Sequence, residues 1–423
     1  MNRLVILGIV AVLCSLTLSP LTTAAQLPSP QSIPMNFEQT VFRRMSIREF
    51  TNQSITDQEL STILWCAMGV RPDGGQTTAG VNGTHSAVIY VLKEDAAYTY
   101  APENHSLVLY KPGDWRSIVG YQYPTAPVVL GLCYNATRAN ANEGGFEIGQ
   151  VCQNIAFTLN ALDLGGVVTG GLPPAINLMG IPADQKGLIV MPIGHPLHPY
   201  NFKDRPLWLS LRPSPVENGM NLTEVLLWRN ETSTFSGMLT RQQQSQLVWA
   251  AYGYSPYLDR SSQDLNKIQR HRTVPSAHGY YPLVFYAVTA KGVYRYQPNL
   301  LTSLGNYSDD YIGLPVLTYL QRIQSGDHRG ELAAASSLPA LVYAPLTLVT
   351  VLDSAKTHGA GENYTQFWHL EAGAALHTVM LEAAALGLPT AQVTPTDPAA
   401  IAALLKCTDG QTPIALLSIQ GHC

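Results

Sequence analysis

Apolar positions along this chain fall into two rhythms, and each rhythm occurs twice. The stretch "ITDQELSTILWCAMG" (55–69) reads as a helix opened by a Thr cap, with leucine and tryptophan on one face. "LTRQQQSQLVWAAYG" (239–253) repeats it. "SAVIYVLKEDAAYTYAP" (86–102) and "PLVFYAVTAKGVYRYQP" (282–298) each read as a β-rich run, a turn and Tyr-x-Tyr-x-Pro. Long apolar helices, with small residues that permit close packing, are predicted over 147–165 and again over 371–389. A buried strand closes each series, at 187–196 and 413–423. The offset between partners grows from 184 to 227 residues while the order holds, so the second copy carries insertions. The pattern predicts a duplicated α+β unit, with copies over 35–215 and 216–423.

Composition narrows the partners. With 46% hydrophobic residues, the 423-residue chain can fill two ordinary cores. A formal charge of −4, with only 13% charged residues, gives no long-range pull towards nucleic acid or an anionic membrane. Any anion must be held by a local cluster. Residues 1–25 have the pattern of a signal peptide: Arg3, an apolar run from Leu4 to Leu18, Pro20, and small residues up to Ala25. The apolar run falls short of the ~20 residues a membrane span needs, so a retained anchor is the weaker expectation. Eight Asn-x-Ser/Thr sequons, against about three expected by chance, point to a secreted glycoprotein. Once the leader is removed, Cys66, Cys133, Cys152, Cys407 and Cys423 remain, with no spacing for zinc or dithiol chemistry. Cys66 and Cys152 fall in core-like helices, and a bridge between Cys407 and Cys423 suits an oxidising compartment.

The charge that exists is concentrated. In "FRRMSIREF" (42–50), period-two alternation of an extended segment places Arg44, Ser46 and Arg48 on one side, an edge suited to an anion. A second basic pair at the same spacing, Lys203 and Arg205, follows the last strand of the first copy. The turn "VVTGGL" brings Gly170 and Gly171, where the backbone can approach a flat ligand closely.

"RRMSIREF", "HRTVPSAHGYYPLVFY" with "VYRYQP", and the "QN…ALDLGGVVTGG" helix and turn resemble the nitroreductase family, in particular its SagB-type dehydrogenase branch. The resemblance covers nearly the whole mature chain. It implies two units, each a central antiparallel sheet flanked by helices, that swap segments about a two-fold axis and hold FMN between them. Members are usually homodimers, so this chain resembles such a dimer fused into one polypeptide, a monomer acting as a pseudo-dimer. The resemblance assigns Arg44, Ser46 and Arg48 to the phosphate, ribityl chain and pyrimidine edge. It has Lys203 and Arg205 close on the phosphate, and an amide of Gly170 or Gly171 meet flavin N5. The lid comes from the second copy, at Pro275, Ser276 and Ala277.

The second copy lacks a matching set. "WRNETSTF" (228–235) keeps Arg229 but puts Glu231 opposite Ser46 and Ser233 opposite Arg48, and Pro395 falls opposite Gly171. One FMN per chain is therefore expected. The expected activity is an exported FMN-dependent oxidoreductase acting on a small-molecule or peptide substrate, with no nucleic acid and no stable membrane insertion. The competing reading is a non-catalytic flavin-binding or structural surface glycoprotein. No separate catalytic acid or base stands out: His278, Tyr280 and Tyr281 lie beside the lid, where core packing is the better expectation, and His369 and His377 look ordinary.

Overall fold

The computed structural model describes residues 24–81, 83–170, 174–198, 200, 216–258, 270–298, 318–361 and 364–422. The first unit runs β1 (Ala24–Gln26), α1 (Phe37–Phe42), α2 (Asp57–Met68), β2 (Ala87–Leu92), β3 (Ala96–Ala101), β4 (Ser106–Pro112), α3 (Arg116–Val119), β5 (Val128–Asn135), α4 (Ala141–Ala161), β6 (Gly165–Gly166), β7 (Thr169–Gly170) and β8 (Gln185–Gly194). The second runs α5 (Leu222–Trp228), α6 (Arg241–Tyr252), β9 (Tyr254–Leu258), β10 (Arg270–Arg272), β11 (Leu283–Thr289), β12 (Gly292–Gln297), β13 (Tyr319–Ser325), α7 (Arg329–Ala334), β14 (Leu346–Asp353), α8 (Thr365–Ala385), β15 (Thr390–Val393), α9 (Pro398–Leu405) and β16 (Gln411–Ile419).

Two antiparallel sheets result. One has the order β1-β4-β3-β2-β5-β8-β6, with β7 also on β8, and the other has β13-β12-β11-β14-β16-β15. Beyond β1 and β7 the two orders match strand for strand, so the predicted tandem α+β architecture is present. Local chemistry matches as well. Thr56 and Glu59 close a capping box on α2, and Thr240 and Gln243 close one on α6. Each helix ends on a glycine lodged against its own tryptophan: a Cβ on Gly69 would lie 2.4 Å from Trp65, and one on Gly253 2.2 Å from Trp249. A further repeat escaped the sequence reading. Asp114 pairs with Arg116 at 2.7 Å, and Asp327 with Arg329 at 2.7 Å, at the openings of α3 and α7.

The units share a core. Helices α4 and α8 run against each other so closely that a Cβ on Gly149 would lie 1.9 Å from the Leu370 carbonyl oxygen, and one on Gly373 1.9 Å from that of Phe146. Around this crossing Phe37, Val41 and Phe157 of the first unit join Trp249, Leu376 and Val379 of the second in one cluster. Gln153 Nε2 donates to Thr378 Oγ1 at 2.9 Å, one of the polar ties between the two helices.

Two expectations need amendment. "RRMSIREF" is extended but contributes no sheet strand, because its backbone bonds are divided between two neighbours. Ile47 N–H donates to the Gly166 carbonyl, Thr51 N–H to that of His195, and Leu197 N–H to that of Glu49, each at 2.9 Å. Cys66, Cys133 and Cys152 are buried free thiols as core placement requires, but Cys407 is also free, packed against the second unit's core rather than bridged. Cys423, residues 1–23 of the expected leader (1–25), Gly171, Lys203 and Arg205 lie outside the described residues. Among the described residues, no helix is long and apolar enough to cross a membrane.

Candidate functional site

Alternation in the basic segment sorts its side chains. Met45 and Ile47 are buried among Phe50, Tyr90 and Val129, which leaves Arg44, Ser46 and Arg48 to the opposite side. Arg44 is only 3% exposed, and its Nε donates to the Arg272 carbonyl of the second unit at 2.8 Å. Burial pulls its guanidinium below the ordinary value. Ser46 is half-buried, and Arg48 is exposed.

Arg48 opens onto a cleft of about 390 Å³ between the units. From the first unit the cleft takes Arg48, Thr169 and Gly170, and from the second Pro275, Ser276 and Ala277. Five of the expected site residues therefore converge: Arg48, Gly170, Pro275, Ser276 and Ala277. Arg44 and Ser46 do not line it; they stand on the same segment beside it. Gly170 faces the second unit, where a Cβ would come within 2.6 Å of Phe367 Cε1, so glycine is required for this approach.

The lid is anchored from behind. Ser276 Oγ donates to Glu371 Oε2 at 2.6 Å and accepts from Tyr281 N–H at 2.9 Å. Tyr252 OH donates to the other oxygen of Glu371. At the stem of the lid, the Arg272 guanidinium lies 4.2 Å from the Tyr281 ring centre, 4.7 Å from Tyr254 and 5.0 Å from Tyr252. His278 (φ 55) and Tyr281 (φ 48) hold left-handed backbone without being glycine, at a cost of about 1–2 kcal/mol each, so the surrounding contacts impose the lid's shape. His278 lines the cleft, while Tyr280 packs on it and on His358 at 5.2 and 4.5 Å. The expectation of packing suits Tyr280 and Tyr281 but not His278.

Glu371, Tyr252, Arg272, Tyr364 and Phe367 were missed by sequence reasoning. Glu371 lines the cleft although the residue is 1% exposed, and burial lifts its carboxyl to about 7. A signal existed: both long helices carry a glutamate at the same place, Glu147 and Glu371, inside an otherwise apolar run. Glu147 does the same work for the first copy's loop, accepting from Ser86 N–H at 2.7 Å and Ser86 Oγ at 2.6 Å. His369 and His377 stand apart from the cleft. His377 is fully buried against Asn154 at 2.8 Å, and burial depresses its imidazole to about 3.

The pseudo-symmetric position holds a second cleft of about 260 Å³, where Ala79 and Gly80 replace the lid, Glu231 and Ser233 the basic segment, and Ala391 and Gln392 the turn. Its arginine is already engaged. Arg229 Nη1 meets Glu231 Oε1 at 2.6 Å, and its Nη2 donates to the carbonyls of Gln76 and Thr78 at 3.2 and 3.1 Å.

Comparison with known proteins agrees with the duplication. A Methanocaldococcus jannaschii protein named for nitroreductase is 29% identical over 197 residues, covering 41% of this chain and 96% of its own. A crystal structure titled as a nitroreductase from Anabaena variabilis superposes over 94% of both chains with a TM-score of 0.67 at 14% identity, which shows a common fold. A structure from Desulfovibrio desulfuricans, titled as a nitroreductase in complex with FMN, matches 40% of this chain and 92% of its own (19% identity, TM-score 0.30). The Nitroreductase family profile matches twice, over residues 41–195 and 236–422, and the chain therefore belongs to the nitroreductase family, with one family unit in each half.

Proposed function

We propose that this protein is an exported FMN-dependent oxidoreductase of the SagB-type kind, with one FMN per chain held by the first unit and covered by the second. The observation that carries this reading is the asymmetry of the two clefts. In the first, Arg48 and the glycine turn face a Pro-Ser lid; in the second, Ser233 replaces Arg48 and Glu231 adds a carboxylate, itself paired with Arg229.

The residues of the first cleft fit the cofactor. Arg48 supplies an exposed cation, Gly170 allows close backbone approach, and Pro275 to Ala277 close the cleft from the other unit. Bound there, FMN would supply hydride or electron transfer, and the protein would supply orientation and electrostatics. Ser276, held by Glu371 and Tyr281, keeps the lid in one position. The substrate is a small organic molecule or peptide, and Tyr364 and Phe367 line the cleft that would receive it. Export rests on the leader pattern and the sequons, of which Asn52, Asn104 and Asn230 are exposed.

Flavin titration of the purified mature chain tests the reading. One equivalent of FMN is expected, its absorbance bleaching on reduction and recovering with an electron acceptor. Arg48→Glu, at an exposed position, should weaken retention at least about tenfold while leaving the fold intact. Two equivalents, or binding indifferent to Arg48→Glu, would refute it.

A further inference from the structure

We propose that the second cleft is a binding site for a flat, uncharged small molecule that carries hydrogen-bond donors and no phosphate. Its flatness rests on the reading of the first cleft as a flavin site, since the two occupy equivalent places in the duplicated fold. Its charge preference rests on this cleft alone.

Three observations define the ligand. Arg229 is spent on Glu231 and on two carbonyls, Ser233 stands where the first cleft offers Arg48, and Glu231 presents a carboxylate that is 61% exposed, so an incoming phosphate meets repulsion. The walls remain suited to a ring: Leu338, Met380 and Ala391 give an apolar surface, and Thr232, Ser233 and Gln392 a polar one. Among these, Gln392 Oε1 is a buried acceptor without a hydrogen-bond partner among the described residues. A ligand N–H or O–H would answer this unmet acceptor. The duplication removed the phosphate grip yet left a cavity of about 260 Å³.

Riboflavin and FMN share ring and ribityl chain and differ only in the phosphate, so they make a matched pair of probes. The full mature chain, saturated with FMN, is titrated with riboflavin by equilibrium dialysis while bound FMN is followed separately. One further equivalent of riboflavin is expected, without displacement of FMN, and FMN itself should bind the second cleft at least about tenfold more weakly. Ser233→Trp, at an exposed rim position, should abolish only the riboflavin equivalent. Glu231→Ser, which removes the exposed carboxylate, should narrow the difference between riboflavin and FMN at the second cleft by about tenfold. No Ser233→Trp-sensitive riboflavin binding, or a second FMN in the unaltered chain, overturns the proposal. Failure of the first cleft to hold FMN would count against the proposed function instead, and riboflavin binding sensitive to Ser233→Trp would still decide the second cleft.

Discussion

Glu371 sits at the floor of the lid, accepting from Ser276 and Tyr252. Burial lifts its carboxyl from the ordinary 4.5 to about 7, so the folded chain keeps a proton that the unfolded chain releases. This stability is complete below about pH 4.5 and is lost as pH rises towards 7, an effect of about 3 kcal/mol. Buried Glu38 and Glu382 are shifted in the same direction. Glu371→Gln should therefore flatten part of the fall in unfolding free energy between pH 5 and 7.5, measured by urea denaturation of the full chain. An unchanged pH slope would remove Glu371 from this role. The same side chain explains why the lid needs Ser276: alanine there would leave a buried carboxyl oxygen without its donor.

At the level of elements, the crossing of α4 and α8 decides how the two units meet. Glycine at 149 and 373 is required by proximity, since each Cβ would lie 1.9 Å from a facing carbonyl oxygen. Neither position has a left-handed backbone, so the constraint is packing rather than conformation. Gly149→Ala and Gly373→Ala should each cost about 1–3 kcal/mol in thermal or urea unfolding. Because the crossing also sets the distance between Gly170 and Phe367, both changes should loosen FMN retention, although neither residue lines the cleft. By contrast, Gly74→Ala, at an open turn, should disturb the cleft little, its cost confined to local backbone strain at φ 84.

For the whole molecule, fusion has let two once-equivalent halves diverge. The shared cluster around Phe37, Trp249 and Leu376 belongs to neither half alone. A fragment of residues 24–200 made by itself should expose this surface and self-associate in sedimentation, and co-expression with 216–423 should restore a soluble pair; a stable monomeric fragment would contradict the shared core. The duplication, its element order and the Thr caps were legible in the sequence, because periodicity and capping are local and each copy repeats them. So was the basic segment, since alternation alone separates Met45 and Ile47 from Ser46 and Arg48. The burial of Arg44 under Arg272, the carboxyl of Glu371 behind Ser276 and the engagement of Arg229 by the carbonyls of Gln76 and Thr78 were not legible. Each joins residues 95 to 228 positions apart, or a side chain to a distant backbone, and no local rhythm encodes such a meeting. The sequence by itself determined that the chain is one unit written twice and that only its first copy keeps a cationic edge. Tertiary structure alone decided that the edge of one copy faces the lid of the other, because that depends on how closely two glycine-lined helices can pack.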